Sequence, residues 1–128
     1  MSIEGLSTEV KQFLRAHIQS LEQLEILALM RPEPERAWTA RSVFDNILSN
    51  ERSIERRLRA FTETGLLTTI AEAPQAYRYA PRSMELDRIV AETLQAYKLR
   101  RVMVTETIFR PEQDPAQTFA DAFRFKQP

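Results

Sequence analysis
Three arginines define the chemistry this chain can offer. In the segment 51–64, Ile54, Leu58 and Phe61 recur at i, i+4 and i+7, which makes one apolar stripe if the segment is helical. With Ile54 set at zero and 100° per residue, Arg52, Arg56 and Arg59 fall at about 160°, 200° and 140°, directly opposite that stripe. A guanidinium keeps its charge and presents planar N–H donors, so three on one exposed face suit an anionic partner. Arg52 and Arg56 are also a like-charged i, i+4 pair, which costs a few tenths of a kcal/mol in an isolated helix. An anionic partner would offset that cost. The plainer alternative is a salt-bridged surface, since Glu55 and Glu63 each stand four residues from Arg59.

Other chemistries are excluded by counting. There is no cysteine, so thiolate nucleophiles, disulfides and cysteine zinc sites are out. His17 is the one histidine, which excludes multi-histidine metal sites, and it reads as a partly exposed helix residue. Gly5 and Gly65 are the two glycines, too few for a dinucleotide fingerprint or a phosphate-binding loop. No serine neighbours His17 in a way that suggests activation. No spacing among the 18 carboxylates marks an acid–base pair. The expectation is a protein that is not an enzyme and takes no metal or cofactor.

Charge and hydropathy narrow the partners. Eighteen basic and 18 acidic residues give zero net charge, so attraction of nucleic acid or membrane by bulk charge is excluded. Residues 31–82 carry a slight excess, nine cations against seven anions. No apolar run reaches 18 residues, and the first residues lack a basic start followed by an apolar stretch. A cytoplasmic protein with no membrane partner is expected.

The elements that must hold the arginines follow from caps and periodicity. Ser7 caps a first helix through Val10, Phe13, Leu14 and Ile18. Ser20 caps a second with Leu21, Leu24, Leu27 and Ala28 at helical spacing, ending before Pro32. Residues 31–36 read as a loop, and Trp38 starts a short extended stretch. Thr39 caps a helix over 40–48, and Asn50 caps the arginine helix, which Gly65 closes. Residues 66–70 read as a strand, 71–75 as a turn without Lys or Arg, and 76–80 as the returning strand. Ser83 caps a long helix reaching about residue 110. Its Leu86, Ile89, Val90, Leu94, Tyr97, Val104 and Ile108 share one side, while Leu99, Val102 and Met103 make a second apolar side that needs its own partner. A strand is an alternative for the β-branched run 102–109. Tyr97 and Trp38 read first as core. Arg100 and Arg101 read as stems along the core, with heads in water or paired to Asp121. Beyond Asp114-Pro115, the aromatic tail carries Phe119, Phe123 and Phe125.

The order helix, helix, turn, helix, Gly-Leu-Leu, strand, turn, strand, long helix resembles the winged helix-turn-helix domain of small bacterial transcription regulators. The segments S-L-E-Q-L-E-I-L-A-L, W-T-A-R-S-V-F-D-N-I-L, S-I-E-R-R-L-R-A-F-T-E-T-G-L-L and Y-R-Y-A-P carry it. The resemblance implies a mainly α fold with a two- to three-stranded β wing. It divides the chain into an N-terminal helix at 1–19, the winged domain at 20–81, a dimerisation helix at 82–110 and the tail at 111–128. It also implies double-stranded DNA as partner, with the helix over 51–64 in the major groove, where arginine can donate two bonds to guanine or clamp phosphates. Arg41, Asn50, Arg52, Ser53, Arg56, Arg59 and Arg78 are then the expected DNA contacts. Leu99, Val102 and Met103 are the expected homodimer contacts. Phe119, Phe123 and Phe125 form a helix-in-groove ligand for a protein partner or pack on their own dimer. The competing reading, favoured by zero net charge, is a winged-helix protein–protein interaction module that does not touch DNA.

Overall fold
A computed structural model describes residues 5–72 and 74–109. Side-chain caps start most of its helices where the sequence places them. Ser7 Oγ accepts from Val10 N at 3.1 Å and opens α1, Thr8–His17. The Gln23 side-chain oxygen accepts from the backbone N–H of Gln19 and Ser20 at the start of α2, Leu21–Met30. Each bond satisfies a backbone donor that has no partner inside the helix.

β1, Trp38–Thr39, leads into α3, Ala40–Ile47, and α4 follows at Glu51–Glu63. Gly65 closes α4 at φ +88°, a left-handed conformation that glycine reaches without a Cβ clash. Around it, Leu66 N donates to Phe61 O at 2.9 Å and Gly65 N to Thr62 O at 3.2 Å. That pair of bonds is a Schellman closure.

The closure shifts the strands from the expected 66–70 and 76–80. Leu66 spends its N–H on the helix, so β2 begins one residue later, Leu67–Glu72, and β3 is Gln75–Tyr79. The sheet order is β1-β3-β2, antiparallel throughout, with Trp38 opposite Tyr77 and Leu67 opposite Tyr79. The register shifts between Thr69 and Ala71, a bulge that leaves Ile70 without a partner opposite.

The expected continuous helix over 83–110 is two helices, and this corrects the sequence reading. α5 runs Met84–Leu99 and α6 runs Arg101–Phe109, separated by Arg100 at φ −136°, ψ 57°. α5 packs on α1 and α2, whereas α6 follows α1. After the break, α6 packs on α1 and α5, and Val104 and Ile108 join the same core as Val90 and Tyr97. Helix wins over strand for 102–109 because Val104 and Ile108, at i and i+4, bury one side of a helix. The core lies where α1, α2, α4, the sheet and α5–α6 meet. Leu14, Leu24, Ile26, Leu27, Ile54, Leu58 and Val104 are among its completely buried side chains.

The fold is therefore mainly α with a three-stranded antiparallel wing. No described helix is long and apolar enough to cross a membrane. The tail aromatics Phe119, Phe123 and Phe125, and Asp121, lie outside the described residues.

Candidate nucleic-acid interface
Short-range bonds set the hinge between α3 and α4. Thr39 and Ser42 exchange backbone-to-side-chain bonds at 2.9 and 3.1 Å, which fixes the start of α3. Leu48 ends α3 in a left-handed conformation at φ 61°, unusual for a residue with a Cβ. Asn50 Oδ1 then accepts from Ser53 N at 2.8 Å and starts α4.

The helix so positioned buries Ile54, Leu58 and Phe61 and exposes Arg52, Arg56 and Arg59, as the periodicity predicts. The three cations are not equivalent. Arg59 Nε donates to Glu55 Oε2 at 3.2 Å, so the salt-bridged alternative is realised at that position. Arg52 and Arg56 have no hydrogen bond or ion pair among the described residues.

The flanking candidates divide as well. Arg41 Nε pairs with Asp45 at 3.2 Å, and its Nη1 lies 3.9 Å from Glu51. The Ser53 hydroxyl turns inward and donates to Glu22 Oε1 at 2.6 Å. Asn50 spends its side-chain oxygen on the cap and keeps its NH2 donors. Arg78 is half-buried on β3, with a buried Nε that finds no acceptor among the described residues.

Sequence reasoning missed the inner flank of α4. Glu22, near the start of α2, accepts from Ser49 Oγ at 2.5 Å, Ser53 Oγ at 2.6 Å and Arg57 Nε at 3.2 Å. Burial works to raise the Glu22 carboxyl, but the two hydroxyls and the guanidinium together hold it below the usual carboxylate range. This cluster ties α4 to α2 and holds the roll that the buried stripe of Ile54, Leu58 and Phe61 sets. The available signal was the spacing of Ser49, Ser53 and Arg57 at i, i+4 and i+8, one stripe beside the core stripe.

Two tyrosines of β3 tie the sheet to its neighbours. Tyr77 donates its hydroxyl to Glu55 Oε2 at 2.7 Å. Burial, and then the Glu55 carboxylate, push the Tyr77 phenol up to about 12. Tyr79 donates to Asp87 Oδ1 at 2.7 Å, and Arg31 meets both oxygens of Asp87 at 3.0 and 3.2 Å. Burial first, then Asp87, holds the Tyr79 phenol well above its ordinary value.

The remaining candidates have structural surroundings. Trp38 is buried under the Arg36 guanidinium, 3.8 Å above its ring. His17 lies beside Phe13 with ring centres 5.1 Å apart, and burial lowers its pKa. Arg101 sits over the Tyr97 ring at 4.5 Å. Leu99 and Val102 are exposed, whereas Met103 packs partly against the core. Among the described residues, no group of three or more His, Asp or Glu could hold a metal ion.

No family model and no curated protein matches the chain. Among solved structures, it is similar to one that addresses regulation of DNA binding of Bordetella bronchiseptica BpsR by 6-hydroxynicotinic acid. The TM-score is 0.51 at 13% identity, over 92% of this chain and 86% of that one. The likeness is one of fold.

Proposed function
We propose that this protein is a DNA-binding transcription regulator, acting as a homodimer with α4 in the major groove. The observation that carries the reading is the pair Arg52 and Arg56, exposed on the outer side of α4 without partners among the described residues. Two unneutralised guanidinium groups on the helix that follows a tight turn, beside a three-stranded wing, fit phosphates and guanine edges. The shared fold with a DNA-binding regulator supports it.

In this reading Arg52, Arg56 and Arg59 face the duplex. Asn50, at the N-terminal end of α4, orients the domain through phosphate contacts, with its NH2 and the open N–H groups of the first turn as donors, while Ser53, whose hydroxyl is given to Glu22, serves by holding α4 in place. Arg41 exchanges Asp45 and Glu51 for a phosphate, and Arg78 reaches the duplex from the wing. Leu99 and Val102, with Met103 beside them, meet a second copy.

The test is a gel shift and a salt titration with the full chain. Wild type should bind sheared DNA at low salt, where phosphate attraction is strongest. The Arg52→Ala, Arg56→Ala, Arg59→Ala triple variant should keep its circular dichroism and lose specific binding. Binding that survives with an unchanged salt slope would show that another face touches DNA. If wild type binds no DNA at low salt, the protein-interaction module takes its place, with the aromatic tail as the docking element.

A further inference from the structure
One carboxylate oxygen joins the interior of the sheet to the outer side of α4. Glu55 Oε2 accepts both the Tyr77 hydroxyl at 2.7 Å and Arg59 Nε at 3.2 Å. Tyr77 is a buried anchor on β3, the central strand. The Arg59 side chain, at 72% relative exposure, lies almost free in solvent, and Glu55 at 27% bridges the two.

This bridge changes what Arg59 can do. A loose arginine samples many rotamers and loses that freedom when a ligand fixes it. Arg59 has its Nε committed and its stem held, while the two terminal nitrogens of the fork remain as donors. A guanine edge presents N7 and O6 at fixed positions and needs the fork in one place. A phosphate oxygen accepts from many directions, so a flexible cation serves it. The Glu55 charge also opposes any phosphate drawn to Arg59. Arg52 and Arg56 have no such holder among the described residues.

We propose that Tyr77, through Glu55, is a positioning residue for Arg59, and that Arg59 reads a guanine while Arg52 and Arg56 contact phosphates. The proposal deepens the DNA-binding reading and rests on it.

The experiment selects a preferred duplex from random DNA with the wild-type chain. Affinities are then measured for every single-base change in that duplex. Arg59→Ala should flatten the preference at one guanine by about tenfold or more. Tyr77→Phe and Glu55→Gln should flatten it at the same position by about threefold. Arg52→Ala and Arg56→Ala should weaken binding to all sequences alike and lower the salt slope. A variant that merely folds less well loses active protein for every sequence equally, so the ratio between sequences isolates positioning. An unchanged profile in Tyr77→Phe and Glu55→Gln, or a loss at positions that Arg59 does not govern, overturns this proposal and leaves the DNA-binding reading intact. A wild-type chain that binds no DNA at low salt overturns both.

Discussion
The outer sides of α4 and α6 show how one chain prepares two different surfaces. Both helices bury a short apolar stripe: Ile54, Leu58 and Phe61 on α4, Val104 and Ile108 on α6. Opposite its stripe, α4 carries Arg52, Arg56 and Arg59, exposed to water. On the α6 side, Leu99, Val102 and Phe109 are exposed at 65%, 70% and 59%. Val102 and Phe109 stand at i and i+7, so they share one side of α6. A charged face is stable alone and gains from an anion, whereas an apolar face gains from leaving water. We propose on this ground that α4 contacts DNA and that the α5–α6 junction contacts a second copy.

The strongest way to break the contrast is to compare the two sides of α4. Leu58→Ala removes a completely buried side chain and should cost about 3 kcal/mol in denaturant melts. Arg56→Ala should stay within about 0.5 kcal/mol of wild type. Similar losses for both would mean that the outer side of α4 is not free.

Next in size is the cluster that holds the roll of α4. Glu22→Gln leaves the half-buried Arg57 guanidinium without its anion and should cost about 2 kcal/mol. The Glu22 carboxyl titrates below its unfolded value, so its contribution is present above the unfolded value and lost as pH falls through the folded one. Stability of wild type should therefore fall on acidification below about pH 4 more steeply than that of Glu22→Gln. Parallel acid-unfolding curves would remove Glu22 from this role.

The α6 side is sharpened by Val102→Asp. It should weaken self-association by about tenfold, roughly 1.4 kcal/mol, in sedimentation experiments, with an unchanged monomer fold. A wild-type chain that remains monomeric at high concentration would leave the apolar side unexplained by a homodimer. The smallest effect belongs to the turn between α3 and α4. Leu48 is 71% exposed and left-handed, so Leu48→Gly relieves the Cβ clash at little loss of burial. It should raise stability by about 1 kcal/mol in thermal melts.

Much of the fold was legible because its signals are short-range. Caps at Ser7, Thr39, Asn50 and Ser83 bond to backbone groups three residues away. The closure at Gly65 depends on a few neighbouring residues, and the exposed arginines follow from the 3.6-residue period alone. The helix break at Arg100 was not legible, because the pattern from Leu86 to Ile108 reads as one continuous side. The break follows from α6 packing on α1, a relation the linear pattern does not contain.

The candidate site divides the same way. That Arg59 and Glu55 can pair was visible from their i, i+4 spacing. That Tyr77 joins them from β3, and that Glu22 gathers Ser49, Ser53 and Arg57, was not, because these partners are 22 to 35 residues apart along the chain. Amino-acid order by itself determined the capped helix starts, the Gly65 closure and the side of α4 that carries positive charge. The tertiary structure alone decided what stands behind those charges, Tyr77 behind the Glu55–Arg59 pair and Glu22 behind Ser53 and Arg57, because these contacts depend on distances of a few ångströms between segments that sequence spacing does not encode.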